Sequence, residues 1–189
     1  GRNCSGHERF PGITPMRTST RTSLMPLAVS NSSPLIHLSL IGHIELLRRF
    51  SSLYIPPAVW QEVVEQGGSR PGVTEIRDAR ESGWLRVVEP SNSALVRLLK
   101  QELHAGEAES IVLAIEVRPD VLLLDEAEAP RIAGLYDLPV TGIIGLLIQA
   151  KHEGLVLSLA EEMDRLREQG NFWIHDALYR RVLKEEKKE

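Results

Sequence analysis

The chain has 189 residues, 42% hydrophobic and 25% charged, with a formal net charge of −4 and a single cysteine. This length suits one domain with a sizeable core, and a lone Cys4 excludes an internal disulfide, as befits a reducing compartment. No apolar stretch approaches the roughly 20 residues that span a bilayer, and the N-terminus lacks the apolar core of a signal peptide, so a cytoplasmic location without a membrane partner is expected.

Residues 1–26 are rich in Gly, Ser, Thr, Arg and Pro and show no helical or strand period, which predicts a disordered leader or a start-site extension. Residues 27–189 then form a single domain. Four arginines against Glu8 give the leader +3 and leave −7 on the remainder. Such an acidic body disfavours broad phosphate attraction, which scales with Lys and Arg contacts, although a bound divalent ion offsets negative charge locally.

From Leu27 onward strands and helices alternate. Leu27-Ala28-Val29-Ser30 reads as a first strand, and Ser33-Pro34 opens a helix with Ser33 as its N-cap. A second helix covers Ile44 to Phe50. Leu53-Tyr54-Ile55 is a strand, Pro56-Pro57 opens a helix from Ala58 to Gln66, and Thr74 to Glu81 is amphipathic. Trp84 to Val88 alternates like an edge strand, and helices follow at Ser93 to Leu103 and Ala105 to Val117. Val121-Leu122-Leu123-Leu124 is wholly apolar, the pattern of a strand buried on both faces of a parallel sheet. A helix near Arg131 to Tyr136, a strand at Leu138 to Thr141 and helices at Gly142 to Glu153, Leu159 to Gln169 and His175 to Lys187 complete the chain. This order predicts a three-layer α/β/α domain with a mostly parallel sheet.

The buried run stops at Asp125-Glu126, at the carboxyl edge where α/β proteins keep their sites. Asp125 reads equally as a cap for the following helix and as a metal ligand. Asn31 follows the first strand as Asp125 follows the buried one, so neighbouring strands would place both on one rim. Glu107 lies at the flank of the Ala105 to Val117 helix, either as a favourable first-turn acid or as a site residue, while Glu109 and Glu116 point further away. Glu62 borders the buried face of its own helix at a larger offset. The six histidines show no zinc-site spacing, and neither Ser32 nor Ser33 sits in a nucleophile elbow.

Five segments in order carry a family resemblance: Val29-Ser30-Asn31-Ser32-Ser33-Pro34-Leu35-Ile36, Ile55-Pro56-Pro57-Ala58-Val59-Trp60-Gln61-Glu62-Val63, Gly106-Glu107-Ala108-Glu109-Ser110-Ile111, Leu122-Leu123-Leu124-Asp125-Glu126 and Val140-Thr141-Gly142-Ile143-Ile144-Gly145-Leu146-Leu147. Together they resemble PIN-domain proteins of a VapC-like branch. The resemblance implies an acidic site that binds Mg²⁺ or Mn²⁺ and hydrolyses RNA phosphodiesters, with a small cognate antitoxin as partner. It also implies a homodimer, which would gather Arg48, Arg49 and Arg131 around a groove. By resemblance, Asn31 takes the usual first-aspartate position, Glu62 the helix acid, Glu107 the third acid and Asp125 the fourth. Ser33 matches the hydroxyl that lines the site, and Glu126 stands beside it. An amide at position 31 offers a metal its carbonyl oxygen but no charge, so weakened affinity is expected.

Overall fold

The computed structural model describes residues 26–125 and 128–186. The expected leader up to residue 25, Glu126 and the last three residues lie outside the described residues. Five parallel strands, β1 (Leu27–Ser30), β2 (Ser52–Ile55), β3 (Leu85–Val87), β4 (Val121–Leu123) and β5 (Val140–Thr141), form a sheet in the order β3-β2-β1-β4-β5. Strand β1 pairs with β4 through Ser30 opposite Leu123, and Asn31 N–H extends the ladder by donating to the Leu123 carbonyl at 3.2 Å. The alternating expectation for Trp84 to Val88 is met by β3 at the sheet edge.

Successive residues of the central strands face opposite cores, which is why their sequences are apolar throughout. Ala28 and Leu123 point into one core, while Val29, Leu122 and Leu124 point into the other. The first core is covered by α1 (Ser32–Leu40), a 3₁₀ turn (Ile44–Arg49), α2 (Pro57–Trp60), α3 (Val73–Glu81), α7 (Ile143–His152), α8 (Leu159–Gly170) and α9 (Asp176–Glu186). The second lies under α4 (Ser93–Leu99), α5 (Ala105–Val117) and α6 (Glu128–Gly134). The result is the expected three-layer α/β/α arrangement. No helix among the described residues is long and apolar enough to cross a membrane.

Two local expectations are corrected. Helix α1 starts two residues early, with Asn31 and not Ser33 at the N-cap position, because Ser33 and Pro34 fit inside the first turn, where proline costs no intrahelical bond. The helix expected from Ala58 to Gln66 is α-helical only through Trp60 and widens into a π turn over Gln61–Glu65, closed by Gln66 N–H donating to the Gln61 carbonyl at 2.8 Å. Strand order reverses between β1 and β4. The crevice beyond their carboxyl ends is therefore the switch point where doubly wound sheets bind ligands.

Candidate metal and phosphodiester site

Asn31 stands at that switch point. An asparagine at an N-cap ordinarily turns its side-chain oxygen onto the backbone N–H groups of the first helical turn. Here no such bond forms, and the Asn31 Oδ1 is buried without a hydrogen-bond partner, in a residue only 3% exposed. Leaving a buried acceptor unsatisfied costs on the order of 1–3 kcal/mol.

The three expected acids lie on separate elements and take separate partners. Glu62, exposed on the π turn, accepts a 2.5 Å hydrogen bond from Ser32 Oγ at the start of α1. Gly106 closes the same corner from α5: a Cβ added there would sit 3.2 Å from Val59 Cγ2, 3.4 Å from Ser32 Oγ and 3.6 Å from Glu62 Oε2. Its neighbour Glu107 is 6% exposed, and its Oε2 accepts from His104 N–H at 3.0 Å, so the first-turn role expected for this acid is real. Half-buried Asp125, just past β4, caps a helix as well. That helix is α7: Asp125 Oδ1 accepts from Ile143 N–H at 2.5 Å. Gly142 makes this possible, since a Cβ there would lie 2.6 Å from Asp125 Oδ1.

The hydroxyl beside the acids is that of Ser32. Ser33 Oγ instead approaches His37 Nδ1 at 3.1 Å, one turn along α1. With Asn31 as N-cap, Ser32 is the first helical residue, and its hydroxyl meets Glu62. Glu109, which helical periodicity turns away from the core stripe, uses its Oε2 to accept from Ala58 N–H and its Oε1 to pair with Lys100, both at 3.0 Å. A bond across 51 residues leaves no trace in helical periodicity. Glu116 likewise serves a helix start, with its two oxygens taking Ser91 N–H and Asn92 N–H. Burial pushes the Glu116 carboxyl upward, but the Ser91 and Asn92 backbone bonds and the Ser91 hydroxyl outweigh it and hold the group below its ordinary value.

The basic residues considered for a dimer groove are engaged within the chain. Arg48 stacks over Trp84 at 4.6 Å, Arg49 pairs with Glu153, and Arg131 pairs with Glu102 at 3.1 Å.

A family model described as PIN domain matches residues 27–188, and the chain belongs to the PIN-domain family. The fold is therefore of nuclease type, in a family that generally uses divalent metals. No curated protein matches the chain.

The donors fit a divalent ion in kind. Asn31 Oδ1, Glu62, Glu107 and Asp125 offer only oxygen, the donor set of Mg²⁺ and Mn²⁺. Among the described residues no three Asp, Glu, His or Cys side chains gather into a cage. Mg²⁺ does not require one, because it keeps several waters and takes one or two carboxylates.

Proposed function

We propose that this protein is a divalent-metal-dependent endoribonuclease of the VapC-like branch, acting as a toxin restrained by a small cognate antitoxin. What supports this reading is the buried, unpartnered Oδ1 of Asn31 at the switch point, with Asp125 just past the neighbouring strand β4 and Glu62 bonded to the adjacent Ser32. Asp125 and Glu107 would hold the metal, with Asn31 Oδ1 as a neutral third donor and Glu62 on a second ion or on the attacking water. Bound Mg²⁺ or Mn²⁺ supplies charge neutralisation at the phosphate and makes water a better nucleophile at neutral pH.

The chain's own groups prepare that chemistry. The Ser32 hydroxyl fixes one oxygen of Glu62 and leaves the other open. Ile143 N–H similarly fixes Oδ1 of Asp125. Both acids are thereby oriented before substrate arrives, and preorganised groups lose little freedom on binding. The test is cleavage of a panel of structured and single-stranded RNAs in Mn²⁺. Activity that falls in Asp125→Asn supports the reading, as does growth arrest on expression that this variant relieves. No cleavage above the Asp125→Asn background would sink it.

A second reading has a specific observation in its favour: position 31 carries a neutral amide, and Glu107 and Asp125 already serve helix starts. On this reading the domain binds RNA or a protein partner without cutting. Cleavage that appears only in Asn31→Asp would favour it over the first.

A further inference from the structure

Glu62 rides on a segment that has little claim to stability of its own. Helix α2 has four residues before the π turn begins, far fewer than an isolated helix needs. Its N-cap residue, Pro56, supplies no side-chain acceptor for the first-turn N–H groups. Something outside the segment must fix where it starts, and with it where Glu62 points.

That contact comes from α5. Gly106 and Glu109 are three residues apart and share a face of the helix. Gly106 abuts Val59, Ser32 and Glu62, while Glu109 Oε2 receives the Ala58 N–H at 3.0 Å. Lys100 Nζ holds the other oxygen of Glu109 at 3.0 Å, and the carboxylate side chain is 16% exposed, so the clamp is largely shielded from water. We infer that Glu109 is a positioning residue, clamping the start of α2 onto α5 and thereby holding Glu62 against Ser32 at the rim. As regards activity the inference rests on the nuclease reading. Its structural half does not.

The experiment compares full-length Glu109→Ala and Glu109→Gln by amide NMR and by Mn²⁺-dependent RNA cleavage. Glutamine keeps an oxygen for Ala58 N–H, whereas alanine removes it. In Glu109→Ala the amide resonances of Ala58, Ser32 and Glu62 are expected to move together, with kcat down about ten-fold and KM for RNA within about two-fold. Glu109→Gln is expected to restore all of these. Lys100→Met, which leaves the Ala58 bond in place, should move the same three amides less and serves if the alanine variant does not fold. Movement of Ala58 alone, or equal losses in alanine and glutamine variants, would overturn the inference. A wild type that cleaves no RNA would defeat the nuclease reading while the amide shifts still decide the clamp.

Discussion

The starts of α1 and α4 carry the same residue in the same position and use it in opposite ways. Asn92 turns Oδ1 onto Leu95 N–H at 3.0 Å, and Glu116 secures the chain just before it. Asn31 makes no such bond and buries its oxygen unpartnered. The exposed asparagine is spent on holding a helix together, while the buried one forgoes that stabilisation at the switch point of the sheet. Capping chemistry is thus the baseline against which the unpartnered oxygen of Asn31 stands out.

The largest expected effect lies on the site side of this contrast. Asp125→Asn keeps an oxygen for Ile143 N–H but removes the charge, so Mn²⁺-dependent cleavage should fall roughly 100-fold with the melting temperature nearly unchanged. A parallel loss of stability would instead assign Asp125 to the helix-capping side. Gly142→Ala comes next: its Cβ would press on Asp125 Oδ1, costing about 1–3 kcal/mol in denaturant unfolding and about ten-fold in cleavage.

The two asparagines can be set against each other directly. Asn92→Ala should cost about 1 kcal/mol in unfolding free energy, the usual value of a lost cap, and leave Mn²⁺ binding unchanged. Asn31→Ala loses no cap bond and should cost less than that, yet weaken Mn²⁺ binding in calorimetry about ten-fold. Equal stability losses with unchanged metal binding would erase the contrast. The smallest effect concerns pH. Because the folded value of Glu116 is lowered, its contribution is fully present above the ordinary value of 4.5 and is lost as pH falls through the lower folded value. The stability difference between wild type and Glu116→Gln should therefore be flat above pH 4.5 and shrink below it in pH-dependent unfolding.

Much of the architecture was legible because it depends on local pattern. The apolar run at Val121 announced a central parallel strand, and the alternation after Trp84 announced an edge, since burial on two faces or one leaves a direct imprint on residue type. The rim holding Asn31 and Asp125 followed from the same logic. What escaped were bonds between distant segments. The bond from Asp125 to the start of α7 and the bond from Glu109 to Ala58 both join elements that lie far apart in the chain. The start of α1 lies two residues before the expected one because Asn31 and Ser33 are both good N-cap residues, and the hydroxyl beside Glu62 is that of Ser32. Periodicity reports which face of an element is buried and is silent on which partner meets it.

The π turn has a meaning for how this segment tolerates change in length. Its closing bond joins Gln61 to Gln66, five residues apart, where an ordinary helical turn spans four, so the segment holds one residue more than a regular helix would. Deleting Glu65 would let the coil tighten into common helical winding, and every residue from Gln66 to α3 would arrive one step early. A point substitution there alters a side chain. A one-residue deletion would re-index the whole passage from the site to the next helix, making spacing, as much as identity, the inherited quantity in this stretch.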